Sequence, residues 1–365
     1  MKITSVDQFI PSLVRRDAIG SHSLAVQSLL IEMGYRSELY VGNSGPDLAK
    51  MVRPYASYKG GEGAVALYQA STGSPISEFL AARPEPLLLS YHNITPSDMW
   101  ERWEPAVAQE LDMARQQLAA LAGRCFHAIA DSSYNEAELL ELGYHSTSVA
   151  GPLVDPMAGA SHADPIISDW LASWRRRGGS VILFVGRIAP NKAQHDLIKA
   201  FALYRKHYEP TARLCLVGSP ASPRYFEALR SFVQRLGLDD VVDMPGGVSG
   251  EELLAYYEHA DVFVCLSEHE GYCVPLVEAM YHDVPVISYG SSAVGETVGD
   301  GGLVLSFKDA PRVAAAINRV IGDPVVSKEM VRLGRRRAQE LSLDANRDRF
   351  KMQLKAALER LEGSV

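Results

Sequence analysis

The sequence predicts an α/β protein of two parallel-sheet domains, and three observations carry that expectation. Short runs rich in branched aliphatic residues, such as VILFV over 181–185 and VFVCL over 262–266, recur along the chain without the alternation of a half-exposed strand. That is the pattern of strands covered on both faces. Between them lie helix-length stretches with an apolar stripe, and strands alternating with helices build parallel sheets through right-handed crossovers. At 365 residues the chain is long enough for two cores of ordinary size.

Taken in order, the first half opens with a strand over 3–10, a loop over 11–20 and a helix over 21–33. Ser21 suits the cap of that helix, Leu24, Leu29, Leu30 and Met33 its buried stripe, and Gly34 its stop. A strand over 37–41 completes a β-α-β unit whose strand-to-helix turn carries Gly20, where backbone can approach a ligand closely. A strand over 86–90 ends in Tyr91 and His92, and ligands collect beyond the carboxyl ends of such strands. For His92 a satisfied structural role and a ligand contact are both open at this stage. A helix over 100–124, a strand over 128–130, a helix over 135–142 and a short strand over 149–152 follow.

From 153 to 179 the composition shifts to Pro, Gly, Ala, Ser and His, and the domain boundary falls there, giving domains of 1–165 and 166–344. Trp170 and Trp174 beside Arg175, Arg176 and Arg177 suit a linker helix packed on a domain, with a membrane-surface helix as the alternative. The second half then reads as strand 181–185, a helix with Leu197, Ile198 and Phe201 inward, strand 213–217, helix 225–236, strand 241–244 and helix 251–259. After strand 262–266 come strand 284–288, a loop over 290–296, strand 303–305 and helices over 311–321, 328–341 and about 345–361.

Composition narrows the function. Hydrophobic content of 47% and charged content of 22% are those of a soluble globular protein, and a net charge of -8 argues against a nucleic-acid footprint. The four cysteines, Cys125, Cys215, Cys265 and Cys273, form no CxxC pair and no zinc-type spacing with histidine, so buried free thiols in a reducing compartment are expected. No run of about 18 apolar residues occurs. A cytoplasmic protein with at most peripheral contact with the inner face of a membrane is the expectation; Arg332, Arg335, Arg336 and Arg337 make one late helix basic, by default a solvated face.

The chemistry concentrates in SEHEGYCVPLVEAM, residues 267–280, where a buried strand ends, a turn carries Glu270 and Gly271, and a helix begins near Pro275 with Glu278 one turn inside. Pro275 has the fixed φ of a first helical turn, and the free N–H groups of a helix start favour an anion such as phosphate. Two carboxylates beside an anion cradle make sense if they face sugar or ribose hydroxyls, which donate to them in pairs. From spacing alone a dipole-balancing Glu278 and a solvated acidic turn over 268–270 explain these residues equally well. Gly186, Arg187 and Lys192 follow another buried strand, with both cations placed where an anion binds; a merely solvated pair is the alternative.

Together, the Gly20 loop, His92 at a strand end, Gly186-Arg187 with Lys192, and Glu270-Gly271-Tyr272-Cys273-Val274-Pro275 leading to Glu278-Ala279-Met280 resemble the retaining glycosyltransferases of family 4 over nearly the whole chain. The resemblance implies the GT-B architecture, two Rossmann-like domains facing each other across a cleft, with the last helix, about 345–365, packing back on the first domain. It implies transfer of a hexosyl unit from a GDP- or UDP-linked sugar to a saccharide, lipid-linked or small-molecule hydroxyl acceptor, in glycan or polysaccharide synthesis, with no metal or other cofactor. In this family's terms Arg187 and Lys192 hold the diphosphate and Glu278 the ribose. Glu270 takes the donor sugar's hydroxyls, without being a secure nucleophile, and backbone N–H groups around Val274, Pro275 and Leu276 assist. His92 comes from the first domain to the sugar, and Gly20 lets the first loop reach the phosphates. Three positions depart from the family pattern: Cys273 and Ala193 stand where glycine is usual, and Ile19-Gly20-Ser21 replaces a glycine pair. The rival functions are a GT-B epimerase of nucleotide-linked sugars and a non-catalytic nucleotide-sugar-binding module.

Overall fold

The computed structural model describes residues 2–14, 18–45, 48–156 and 160–363. Among them β1 (Ser5–Leu13), β2 (Leu39–Ser44), β3 (Arg53–Pro54), β4 (Ala64–Ala70), β5 (Leu87–Tyr91), β6 (Cys125–Ala130) and β7 (Thr147–Val149) form one sheet in the order β3-β2-β1-β4-β5-β6-β7. A second sheet has the order β10-β9-β8-β11-β12-β13. Its strands are β8 (Val181–Val185), β9 (Arg213–Val217), β10 (Val242–Gly246), β11 (Val262–Cys265), β12 (Val286–Tyr289) and β13 (Leu303–Leu305). Neighbouring strands pair in parallel throughout both sheets, as the unbroken apolar runs require. By compactness the chain divides into a first unit of 1–101, 106–154 and 343–365 and a second of 102–105 and 155–342.

Each unit is a doubly wound, Rossmann-like layer sandwich. In each sheet the chain steps outward in one direction and then reverses, between β1 and β4 in the first and between β8 and β11 in the second. The connections diverge at such a switch point and leave a crevice beyond the carboxyl ends of the two strands. The second core is built from residues such as Ile182, Leu183, Phe263 and Val264, all fully buried. Among the described residues no helix is long and apolar enough to cross a membrane.

The elements differ from the sequence expectation at informative places. β1 runs on to Leu13, and the first helix spans Ala18–Glu32, so Gly20 lies inside that helix and not in a strand-to-helix loop. A Cβ at Gly20 would meet the Val14 carbonyl oxygen at 2.6 Å, so the missing side chain serves the contact between the helix and the end of the strand. Residues 15–17 of the expected loop lie outside the described residues. The expected helix over 100–124 is two helices, Asp98–Glu101 and Pro105–Leu121, because Pro105 cannot continue one turn and is pre-set to begin the next. β4 and a helix over Pro75–Ala81 occupy a stretch to which the sequence pattern assigns no element. The loop expected over 290–296 runs into a short helix, Val294–Val298.

The compositionally odd stretch after 153 contains a helix, Pro165–Arg176, started by Asp164, whose carboxylate accepts the Ile167 N–H at 2.8 Å. Its Trp170 and Trp174 pack on the second core and stand 4.6 and 4.2 Å from the Arg213 guanidinium, a linker helix fixed by its tryptophan face. The last helix, Leu343–Gly363, belongs to the first unit. It buries Phe350, Leu354, Ala357, Leu358 and Leu361 among residues of β1, β4, β5 and β6.

Candidate active site

At the switch point of the second sheet, Arg187 and Lys192 follow β8, and Glu270 and Glu278 follow β11. β8 ends at Val185, and Gly186 turns the chain with φ 151. The Gly186 carbonyl passes so close to the end of β9 that a Cβ on Gly218 would lie 2.0 Å from its oxygen, a requirement no motif announces. Arg187 follows, exposed, and its guanidinium has no hydrogen-bond partner among the described residues. A single 3-10 turn, Pro190–Lys192, then carries the chain into the helix Gln194–His207 through Ala193 in the left-handed region (φ 49, ψ 39).

From β11 the chain enters the acidic turn, and the two loops are joined by hydrogen bonds. The Asn191 side-chain amide donates to the His269 carbonyl at 3.2 Å, and the Asn191 carbonyl accepts from Glu268 N–H at 2.8 Å. Glu270 N–H donates to Ser292 Oγ at 2.8 Å, which ties the turn to the segment after β12. Across this frame Lys192 Nζ stands 2.5 Å from Glu270 Oε2, with side-chain exposures of 16% and 8%. The pair is sheltered, so each charge depends on the other.

The turn into the helix Val274–Tyr281 is made by Cys273 at φ 70, ψ 68; Gly271, expected to supply the sharp turn, has no positive φ. Cys273 leaves the helix start without a side-chain cap, and Pro275 occupies the first turn. The orphan N–H groups there therefore have no side-chain acceptor of their own. Tyr272 packs its ring on the second core while its carbonyl accepts from Thr297 Oγ1 at 2.6 Å. Val274 is half-buried and Leu276 fully buried, and the Leu276 N–H donates to the Cys273 carbonyl at 3.0 Å.

Glu278, one turn in, accepts a 2.7 Å hydrogen bond at Oε2 from the hydroxyl of buried Tyr257, whose ring stacks on His282. Burial pushes the Glu278 carboxyl above the usual carboxylate range, and the Tyr257 bond offsets part of that rise. Beside the acidic turn the Lys308 ammonium bridges Asp196, at 2.6 Å, and Glu268. Burial pulls Lys308 down, but those two bonds outweigh it and leave it above the usual lysine range. Lys308 and Asp196 were not legible as site residues. Their only signal is that each follows a strand or turn at the carboxyl end of the sheet.

In the first unit His92 lies beyond the end of β5, as its position in the sequence predicts, but its side chain is only 2% exposed. Nδ1 stands 2.9 Å from Asp131 Oδ2 and Nε2 2.7 Å from Gln69 Oε1. The Gln69 amide donates to Gln8 Oε1 at 2.7 Å, and the Gln8 amide donates to the Ser23 carbonyl at 3.0 Å. A backbone carbonyl can only accept, so the direction of the whole chain is set, and His92 Nε2 carries a proton toward Gln69. Both ring nitrogens are engaged inside the first unit. His22 touches His92 edge to face, and burial followed by the His92 charge holds its imidazole well below the usual range.

Residues 171–339 match the family model described as glycosyl transferases group 1. A GDP-mannose-dependent alpha-(1-6)-phosphatidylinositol monomannoside mannosyltransferase of Mycolicibacterium smegmatis is 30% identical over 190 residues, 46% of this chain and 49% of that protein. A D-inositol 3-phosphate glycosyltransferase of Acidothermus cellulolyticus is 31% identical over 161 residues, 42% of this chain and 36% of that protein. The chain thus spans half or less of the length of these curated relatives. In structure it is similar to Anabaena HepE, solved with UDP and glucose, at a TM-score of 0.72 and 17% identity over 96% of this chain and all of that one. It is also similar to sucrose-phosphate synthase from Thermosynechococcus elongatus, at a TM-score of 0.71 and 18% identity over 99% of this chain. At such identities the likeness is one of fold, two parallel-sheet Rossmann-like units of the GT-B kind. The family match lies over the sheet that holds Arg187, Lys192, Glu270 and Glu278.

Proposed function

We propose that the chain transfers a hexosyl unit from a nucleotide diphosphate sugar to a hydroxyl acceptor, with retention at the anomeric carbon and without a divalent metal. The observation that carries the reading is the set of groups at the β8/β11 switch point: an exposed Arg187 without a side-chain partner among the described residues, the sheltered Lys192–Glu270 pair and a helix start without a side-chain cap. Breaking the bond from the anomeric carbon to the diphosphate leaves negative charge on the phosphate and oxocarbenium character on the sugar. Arg187, Lys192 and the N–H group at Val274 stabilise the departing charge, and each such fixed donor is worth roughly 3 kcal/mol.

Glu270 already accepts from Lys192 through one oxygen and offers the other to a sugar hydroxyl; it positions the sugar and is not the nucleophile. Glu278 has Oε2 committed to Tyr257 and its second oxygen available to the ribose diol. The leaving phosphate oxygen takes the acceptor's proton on the same face, which gives retention. His92, with both nitrogens engaged, holds the strand ends of the first sheet in place and does not touch the sugar. The relatives named for GDP-mannose and for inositol phosphate make GDP-mannose the first donor to try, and UDP-hexoses the second.

The test is a thermal-shift panel of GDP, UDP and their sugars, with and without magnesium, followed by transfer assays on acceptor mixtures. A ligand at 100 times its dissociation constant adds about 2.7 kcal/mol, an easily read shift. One nucleotide series is expected to shift the protein regardless of magnesium, and Arg187→Ala to lower transfer about a hundredfold. Indifference to every nucleotide sinks the proposal. Formation of an epimer from donor alone moves it to the isomerase reading, and tight binding with no turnover to that of a binding module.

A further inference from the structure

The sequence shows no zinc-type spacing, yet the fold brings three soft and hard donors together. Ligand atoms of Cys265, at the end of β11, Cys273, at the start of the next helix, and Glu270, in the turn between them, all lie within 4.8 Å of one another. Cys265 Sγ and Cys273 Sγ are 4.0 Å apart. Two thiolates on a tetrahedral zinc ion, at about 2.3 Å each, stand about 3.8 Å from one another, so almost no rearrangement separates the two thiols from a metal edge. Ser267 Oγ, 3.3 Å from Cys265 Sγ, lies at hand for the fourth position.

We propose that Cys265, Cys273 and Glu270 form a site for one thiophilic divalent cation, zinc above all. Binding releases the two thiol protons to solvent and forms two metal–sulfur bonds and one metal–oxygen bond, with no change of oxidation state. Charge balance favours it: the cation and the Lys192 ammonium offset two thiolates and one carboxylate in a sheltered place where an unpaired charge is costly. Cys273 and Glu270 keep slight exposure, 9% and 8%, which gives the ion its way in. Magnesium, a hard cation that prefers six oxygens, does not fit this donor set.

A cation here competes with Lys192 for Glu270, so it is expected to weaken nucleotide-sugar binding; that consequence alone rests on the glycosyl-transfer reading, and the binding itself does not. The test uses the full reduced chain titrated with cobalt(II) as a spectroscopic stand-in, then with zinc against a chromogenic chelator. One equivalent of cobalt is expected to give a thiolate-to-metal charge-transfer band and tetrahedral ligand-field bands, displaced by one equivalent of zinc. Cys273→Gly is expected to abolish the band and to cut zinc affinity at least about a hundredfold, and Glu270→Gln to weaken it about tenfold or more. Cys125→Ser is expected to leave both unchanged. Near-ultraviolet circular dichroism confirms that each variant is folded. Absence of the band in the folded protein, or its persistence in folded Cys273→Gly, overturns the proposal.

Discussion

Two residues, Ala193 and Cys273, hold the left-handed conformation at the starts of the two helices that flank the site. Both are positions where the resemblance implies glycine, and both turns have the backbone shape that glycine adopts most readily. Three terms set the effect of restoring it at Ala193. Relief of the left-handed strain gains about 1–2 kcal/mol. The freer unfolded chain takes back about 0.5–1, and the lost buried methyl about 0.8. Ala193→Gly should therefore fall within about 1 kcal/mol of neutral in urea unfolding, whereas Ala193→Val, branched and fully buried, should lose more than about 2 kcal/mol. Equal behaviour of the two variants would mean that strain is not what shapes this turn. Glu278 tests a second residue-scale idea. Its carboxyl is raised by burial, so the folded state holds its proton more tightly than the unfolded chain, and stability falls as pH climbs from the ordinary carboxylate range through the raised value. Glu278→Gln, which still accepts from Tyr257, is expected to melt higher than the native protein at pH 7 and to lose that advantage in acid. A constant difference across pH would rule out the linkage.

At the scale of elements, the site is two strand-turn-helix units locked at their turns, and the Lys192–Glu270 pair is the lock with charge in it. Removing one partner leaves the other sheltered and unpaired, which typically costs about 3–5 kcal/mol, while removing both leaves nothing uncompensated. In a double-mutant cycle Lys192→Met should therefore destabilise the protein more than Lys192→Met combined with Glu270→Gln. Simple addition of the two single effects would show that the pair is not coupled. These two turns were the legible part of the chain, because VILFV and VFVCL announce buried strands, and proline and acidic residues punctuate the turns beyond them. β4 is not legible: in AVALYQA three alanines and a glutamine dilute the apolar run, and Gln69 is there because its amide joins Gln8 to His92. Periodicity cannot register a polar group whose partners come from other strands. For the same reason the sequence pattern gives the strand end that carries His92 but not its enclosure, and gives no sign of Lys308 with Asp196.

At the scale of the whole molecule, the chain's two units are discontinuous in sequence, and the first is completed only by the last helix. Phe350 is fully buried there, its ring edge-on to His22 at 5.1 Å, and Leu354, Ala357 and Leu358 sit in the same core as Ile3, Val6 and Leu67. Burying each large apolar side chain contributes about 1.5–3 kcal/mol, so this helix supplies a sum comparable with the usual net stability of a domain, about 5–15 kcal/mol. Phe350→Ala should accordingly cost about 3–5 kcal/mol, and the loss should be confined to one unit. Hydrogen exchange followed by peptide mass spectrometry is expected to show faster opening of β1, β4 and β5, while peptides of β8 and β11 keep their protection. The same variant should still be stabilised by whichever nucleotide shifts the native protein, since the cluster at the β8/β11 switch point contains no residue of the first unit. If protection falls equally in both sheets, the two units open as one and the helix holds the entire chain together.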